Sequence, residues 1–313
     1  AQMARLLFIT SNRIGDAVLS TAALAALCAR MPQAQVVVAC GPLARDLFRA
    51  WPNLEALEPF DKSSGRWTGL RARLAGRRYD LAVDLRGSLI TYLLKCSRRI
   101  IYRKRAGPPV HKVEEIARCL GVEPCPTVLP RDAKAEADAR TIHAGAGFLA
   151  LGPGANWIGK TWPPAHFAAA ARALSAPGAA FAGAAIVLLG GPGEEAIAAQ
   201  VAQGLPGAQV INAVGKLDLL AVAALVARAG LFIGNDSGLM HIAAAAGART
   251  LGLFGPSPEI IYGPWGDKTQ SIRGPRDYQT LWDFERSQPD TGSLMQDLTV
   301  PAVVAAAEGL LQR

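Results

Sequence analysis

The sequence of 313 residues is sparing with the residues on which many catalytic motifs depend. It holds four histidines (His111, His143, His166 and His241) and five cysteines (Cys28, Cys40, Cys96, Cys119 and Cys125), an odd number with no Cys-x-x-Cys spacing. That argues against a disulfide-stapled scaffold and a zinc site, and fits reduced, mostly buried thiols. No Asp-x-Asp pair of the kind that holds a metal with a sugar nucleotide occurs anywhere. No metal and no cofactor is therefore expected. The turn after the first apolar run lacks Gly-x-Gly-x-x-Gly, which disfavours a nicotinamide dehydrogenase. Long hydrophobic runs are missing too. The longest uncharged stretch, 173–193, has 21 residues but is broken by Pro177, Gly178, Gly183, Gly190, Gly191 and Pro192, so it does not form one membrane helix. The N-terminus shows no basic region, apolar run and small-residue cleavage site in succession, so no secretory leader is expected.

Half of the residues are apolar and 19% are charged. That supplies cores for two ordinary domains and excludes a collagen-like fibre or an acidic disordered chain. Lys and Arg exceed Asp and Glu by 33 to 25, a formal +8. The excess is uneven. Residues 1–140 hold 23 basic and 13 acidic side chains, whereas 141–313 hold 10 and 12. A basic half and a near-neutral half suggest separate partners, the basic one anionic; a solvated basic surface is the plainer alternative.

Short apolar runs alternate with helical segments. Strands are expected at 6–9, 36–39, 81–85 and 100–102, with helices at 17–30, 42–50 and 111–120. After a break at Pro124, Pro126 and Pro130, which reads as a linker over 121–147, strands are expected at 148–152, 185–189, 209–213, 231–235 and 250–254. Helices fall at 164–175, 194–203, 218–228, 238–246 and 300–312. Continuous apolar strands between helices mean parallel sheets covered on both faces. The expected organisation is an N-terminal domain at 1–140 and a C-terminal domain at 141–313.

Four strand-to-helix turns carry candidate chemistry. In Ser11-Asn12-Arg13-Ile14-Gly15-Asp16, Asp16 reads either as a helix cap or as a carboxylate available as a general base. In Gly152 to Pro163, Lys160 is an isolated cation whose nearest charged neighbours in sequence are Arg140 and Arg172. A lone Lys in a Gly-rich loop suits a phosphate, though it also reads as a solvated loop residue, and Trp162-Pro163-Pro164 rules out a Walker loop. In Gly190-Gly191-Pro192-Gly193-Glu194-Glu195, a carboxylate either takes a ribose hydroxyl or complements the helix dipole. In Gly234-Asn235-Asp236-Ser237-Gly238-Leu239-Met240-His241, the amides of Ser237 and Gly238 open a helix and form an anion site. His241, one turn in, is either a core histidine or a phosphate donor.

With these features in this order, the chain resembles glycosyltransferase family 9, the ADP-heptose:lipopolysaccharide heptosyltransferases. Asn12-Arg13-Ile14-Gly15-Asp16 and the Asn235 to His241 box carry the resemblance most specifically. Lys160-Thr161-Trp162-Pro163 and Met295 to Val300 add to it. The resemblance implies a GT-B fold: α/β, two facing Rossmann-like domains with parallel sheets and an interdomain cleft, the last helix packing back on the N-terminal domain. It implies Asp16 as general base. It places Lys160, Asn156, Asp236, Ser237, Gly238 and His241 on the donor's diphosphate and sugar, Glu194 rather than Glu195 on the ribose, and Lys216 and Leu217 by the base. Asn12 and Arg13, with Arg98, Arg99 and Arg103, are assigned to the acceptor. The implied partners are a nucleotide-diphospho-sugar, ADP-heptose first, and an anionic glycolipid of the lipopolysaccharide core, with no nucleic acid. The basic runs Arg98, Arg99, Arg103, Lys104, Arg105 and Arg71, Arg73, Arg77, Arg78 fit an acceptor at the inner leaflet. The implied place is the cytoplasm, peripheral on the inner face of the inner membrane.

The implied reaction is inverting, metal-independent transfer, a base stripping the acceptor hydroxyl while Lys160 and helix amides meet the departing diphosphate. Residues 276–298 depart from many relatives in having no cysteine and carrying Tyr278, Trp282, Phe284 and Pro289. The alternatives are a family 9 enzyme using another nucleotide sugar and a non-catalytic nucleotide-sugar or glycolipid-binding protein. A nucleotide-sugar epimerase is disfavoured by the four histidines.

Overall fold

The computed structural model describes residues 3–60, 66–104 and 106–313. Arg105 of the basic run therefore lies outside the described residues. The chain divides into two compact units, residues 1–130 and 131–313.

The first unit runs β1 (Arg5–Ile9), α1 (Ile14–Arg30), β2 (Gln35–Cys40), β3 (Leu54–Pro59), α2 (Arg66–Leu74), β4 (Arg78–Asp84), β5 (Lys95–Ile101) and α3 (Lys112–Leu120). Its five parallel strands lie in the order β3-β2-β1-β4-β5. β1 and β2 are almost wholly buried, which their unbroken apolar letters require of strands covered on both faces. The segment expected as a helix at 42–50 is a 3-10 helix, Pro42–Phe48. The expectations passed over β3 and α2. β3 reads Leu-Glu-Ala-Leu-Glu-Pro at the edge of the sheet, where one side of the strand meets water and charge is tolerated.

The second unit opens with α4 (Ala133–Ile142), capped by the Asp132 side chain, which accepts from the Ala135 amide. α4 packs against α7 (Leu219–Val226), so residues 131–140 go with the second unit, and the division falls ten residues ahead of the expected boundary. There follow β6 (Leu149–Gly152), α5 (Pro164–Ser175), β7 (Ile186–Leu188), α6 (Glu195–Gln203), β8 (Val210–Asn212) and α7. The unit ends with β9 (Leu231–Asn235), α8 (Gly238–Ala245), β10 (Thr250–Phe254), α9 (Glu259–Tyr262), β11 (Thr269–Arg273), α10 (Tyr278–Ser287) and α11 (Val300–Leu311). The strand order is β11-β10-β9-β6-β7-β8, all parallel. Numbered from β6, that is 3-2-1-4-5-6 read from β8, the Rossmann order; the first unit has its 3-2-1-4-5 portion. β11 and α10 were also passed over, and β11 is again a polar edge strand.

The last helix buries Val303, Ala307 and Leu310 in the same core as Leu149, Leu188 and Leu251, and it packs on α5 and on β9 to β11. Cys40 is fully buried, which pushes its thiol up to about 12, and all five cysteines are free. Among the described residues no helix is long and apolar enough to cross a membrane.

Candidate active site

In a doubly wound sheet, ligands sit beyond the carboxyl ends of the strands where the order reverses. In the first unit that point lies between β1 and β4. Ile9 and Asp84 are paired across it, and Leu85 continues the pairing through its amide to Ile9 O, 2.9 Å. The loop after β1 holds Asn12, Arg13 and Asp16. Asp16 is not the cap of α1. The cap position is Arg13, whose own amide donates to Ser11 Oγ at 3.1 Å, and Asp16 lies in the first helical turn. Its carboxylate is half-buried and has no hydrogen-bond partner among the described residues. Behind it, Thr10 and Ser20 share a buried hydrogen bond of 2.7 Å.

Asn12 is clamped by the loop after β2. A Cβ at Gly41 would stand 2.5 Å from Asn12 Cα, so only glycine admits this approach. Arg13 is exposed, as are Arg98 and Arg103. Arg99 has another task. Its Nε donates to Thr91 O (2.9 Å) and its Nη2 to Leu94 O (3.3 Å). Arg73 and Arg77 are likewise committed, to Glu58 and Glu55 at 2.9 and 3.0 Å. Two of that run's four arginines are therefore matched by carboxylates of β3.

Sequence reasoning missed Asp84. It is fully buried at the end of β4, and its carboxylate accepts from the Arg86 amide (2.8 Å), the Ser88 amide (2.9 Å) and the Ser88 hydroxyl. Burial holds its carboxyl above the ordinary aspartate range despite these donors. It shapes the loop beside the Asp16 segment. The signal was Asp ending an apolar strand and followed by Arg-Gly-Ser.

In the second unit the order reverses between β6 and β9, and most of the expected donor residues converge there. Asn235 ends β9, is fully buried and uses its whole amide: Oδ1 accepts from the Trp162 amide (3.0 Å), and Nδ2 donates to Pro153 O (2.8 Å) and Gly154 O (3.3 Å). It thereby clamps both ends of the loop after β6 onto β9. Within that loop Lys160 Nζ donates to Asp236 Oδ2 at 2.8 Å, an ion pair of one half-buried and one buried side chain. Ser237 caps α8 with extended backbone, and Gly238 begins the helix. Here the first amides lack helical partners and the dipole favours an anion. His241, one turn on, is buried.

Glu194 reaches the same loop from β7. A Cβ at Gly154 would stand 2.2 Å from its carboxyl carbon, and one at Gly190 would stand 2.6 Å from Oε2. Two glycines on two loops make room for this carboxylate, which accepts from the Gly191 amide (2.8 Å). Burial raises its pKa, with a further push from Glu195. Glu195 is exposed and turns back to the Gly193 amide. After β8, the Gly215 amide donates to Gly190 O (3.1 Å), at φ +69°, which brings Lys216 and Leu217 beside the Glu194 turn. Lys216 and Asn156 are exposed and Leu217 is half-buried against the core.

The rim therefore reads, strand by strand, Asp236 and Ser237 after β9, Lys160 after β6, Glu194 after β7 and Lys216 after β8. It spans three strand spacings, about 14 Å. The segment before α11 closes the far side of the Lys160 loop: Trp162 Nε1 donates to Leu298 O (2.8 Å), Ser293 Oγ to Thr161 O (2.6 Å) and the Leu294 amide to Gly159 O (3.2 Å). Trp157 of the loop stacks on Trp282 of α10, ring centres 5.2 Å apart. Among the described residues no group of three His, Cys, Asp or Glu is placed to hold a metal ion.

The sequence profile described as glycosyltransferase family 9 (heptosyltransferase) matches residues 121–291, more than half of the chain. The chain belongs to glycosyltransferase family 9. Lipopolysaccharide heptosyltransferase 3 of Escherichia coli is 30% identical over 174 residues, 54% of this chain and 49% of that one, so the match spans about half the relative's length. Two solved structures share the fold across nearly the full chain. The family 9 glycosyl transferase of Veillonella parvula has a TM-score of 0.82 at 20% identity, covering 100% of this chain and 98% of its own. The ADP-heptose lipopolysaccharide heptosyltransferase II of E. coli has a TM-score of 0.77 at 22% identity, covering 98% of each.

Two outcomes follow from the geometry. Asn235→Ala strips partners from a buried amide and two carbonyls. It should destabilise the second unit by roughly 2–3 kcal/mol, read as a lower urea midpoint; a loss under about 0.5 kcal/mol would show that the clamp is not structural. For Glu194 the folded pKa is raised, so its stabilising contribution is present at low pH and is lost as pH rises through the folded value. Glu194→Gln should therefore gain stability relative to the parent as pH climbs from 4 to 7. A pH-independent difference would contradict the burial of the carboxylate.

Proposed function

We propose that the chain is an inverting glycosyltransferase that moves a sugar, heptose from ADP-heptose first, onto an anionic glycolipid of the lipopolysaccharide core at a membrane surface. The observation that carries the reading is the row along the second unit's rim. Diphosphate, ribose and base follow one another in a sugar nucleotide. The Lys160–Asp236 pair with the α8 amides, then the Glu194 carboxylate, then the turn at Lys216 and Leu217 follow one another in the same order. The E. coli protein of like fold is an ADP-heptose lipopolysaccharide heptosyltransferase, which supports adenine and heptose for this chain.

Each group then has one task. Asp16 of the first unit takes the proton of the acceptor hydroxyl as that oxygen bonds the anomeric carbon from the face opposite the diphosphate. The carbon–oxygen bond to the diphosphate breaks in the same step, and the configuration inverts. The departing charge is met by Lys160, held in place by Asp236, and by the N-terminal amides of α8. Because these groups supply positive charge to the leaving group, the reading is metal-independent. Asp236 fixes the lysine rather than neutralising it outright: the carboxylate takes one of three ammonium protons and leaves two for phosphate oxygens. Glu194 accepts from a ribose hydroxyl. Asn12, Arg13, Arg98 and Arg103 serve the acceptor.

A partly unspent Asp16 is what a base requires, and it separates this reading from a binding protein that uses the same rim. Asp16→Asn should bind ADP-sugar within about twofold of the parent by calorimetry and lose at least a hundredfold in transfer, as removal of a positioned base does. Unchanged turnover would remove Asp16 as the base. Lys160→Ala should weaken ADP binding at least tenfold, and a preference for UDP or GDP over ADP would replace the donor while leaving the rim's role intact.

A further inference from the structure

Residues 85–113 contain eight Lys and Arg and no Asp or Glu. The remaining 284 residues carry 25 of each sign. The whole formal excess of the chain thus lies in 29 residues, which begin where β4 ends and run through β5. The first part of this segment is a short 3-10 turn, Ile90–Leu93. Ile90 and Leu94 are buried in the first unit's core with Leu7, Leu70 and Leu74. Leu89, Tyr92 and Leu93 point outward at 73%, 58% and 61% exposure, among the most exposed large apolar side chains of the protein.

This tip is braced from behind. Arg99 bonds the carbonyls of Thr91 and Leu94, and its guanidinium stands 5.5 Å from the centre of the Tyr92 ring. The cation therefore holds Tyr92 and the turn in an outward pose. Lys95 follows the turn, Arg98 lies further along the edge strand β5 and Arg103 just past its far end; all three are exposed and form no ion pair among the described residues. In the other basic run Arg73 and Arg77 are paired with Glu58 and Glu55, and no outward apolar cluster like Leu89, Tyr92 and Leu93 accompanies Arg71 and Arg78 among the described residues.

We propose that the 3-10 turn carrying Leu89, Tyr92 and Leu93, with Lys95, Arg98 and Arg103 along the edge strand that follows it, is the surface by which this protein docks on an anionic lipid bilayer. The chemistry fits both layers of such an interface. Leucines favour the acyl boundary, tyrosine the headgroup level, and cations the phosphates of anionic lipids. An RNA would use the cations and could stack on Tyr92, but it offers nothing to two outward leucines. The turn lies in the connection that leaves β4 at Asp84 and returns to the start of β5, where Lys95 pairs with Arg78; β5 then runs to the sheet end that carries the Asp16 loop, where Ile101 pairs with Asp84, so docking along this edge would bring a membrane-embedded glycolipid to the first unit. The inference deepens the proposed function, yet its first test does not depend on it.

The full-length protein is floated with phosphatidylcholine vesicles that contain or lack 30% phosphatidylglycerol. Binding should require the anionic lipid and fall with added salt. Leu89→Ser/Leu93→Ser should lower partitioning at least tenfold with an unchanged melting curve and unchanged ADP affinity. Leu89→Phe/Leu93→Phe should raise it. Equal binding by parent and serine variant overturns the proposal. So does RNA binding that the serine substitutions leave alone in a parent that ignores vesicles, or a parent dimer that the serine variant dissolves. In a second arm the serine variant should lose transfer to an acceptor embedded in vesicles and keep transfer to the same acceptor stripped of its acyl chains. If the parent transfers to neither, the proposed function fails while the flotation result still decides the docking surface.

Discussion

One buried amide organises the second unit's rim. Asn235 has no solvent to fall back on, and its three hydrogen bonds run to both ends of the loop after β6. A buried amide of this kind is stabilising only when all its partners are in place. The loop is therefore held in one path. Lys160 meets Asp236 because Trp162 and Pro153 are fixed on either side of it. Glu194 finds its recess because Gly154, bonded to the same amide, lies where a side chain would collide with the carboxylate. The order of Asp236, Lys160, Glu194 and Lys216 along four strands thus rests on a residue that makes none of the contacts proposed for the donor.

The two units show how one strand order serves two purposes. Both reverse direction between their first and fourth strands, and both place chemistry at that reversal. In the first unit the reversal is built around a carboxylate left unbonded, with Asp84 alongside absorbing the loop's amides. In the second it is built around bonded pairs: Lys160 with Asp236, Glu194 with Gly191, Asn235 with three backbone groups. Under the proposed reaction the two arrangements differ for a reason: a group that is to take a proton is best left unspent, whereas a flexible diphosphate is held better by contacts fixed beforehand.

The central architecture was legible because buried parallel strands carry unbroken apolar letters. β9 and β10 fell on the expected residues, and Pro164–Ser175 did so as a helix. The edge strands β3 and β11 were not legible, since an edge strand borrows its order from one neighbour and admits Glu, Gln and Arg. The Gly-rich turns were legible as turns, but not the reason for each glycine: Gly154 and Gly41 are required by Glu194 and Asn12, residues 40 and 29 positions away. Arg99 shows the opposite failure. Its letter sits in a basic run and reads as a surface cation, yet it braces a turn eight residues earlier. Sequence shows which charges a run contains, and only the fold shows which of them already have partners.

That distinction changes how the chain's charge is understood. The sum of +8 and the basic first half both suggested a broad anion-facing surface. In the structure, Arg5, Arg73 and Arg77 answer to Glu55 and Glu58, and Lys112 answers to Glu115 at 2.8 Å. The formal excess itself falls in a compact run on an edge strand and the loop before it, mixed with outward apolar side chains. The second unit's cation is of another kind, one lysine fixed by its carboxylate beside a helix start whose amides carry no net charge. Mobile exposed cations act over a Debye length and yield to salt, whereas preorganised amides act at contact. The proposed acceptor, fixed in a surface, and the proposed donor, drawn from solution, call for those two kinds of contact in that order.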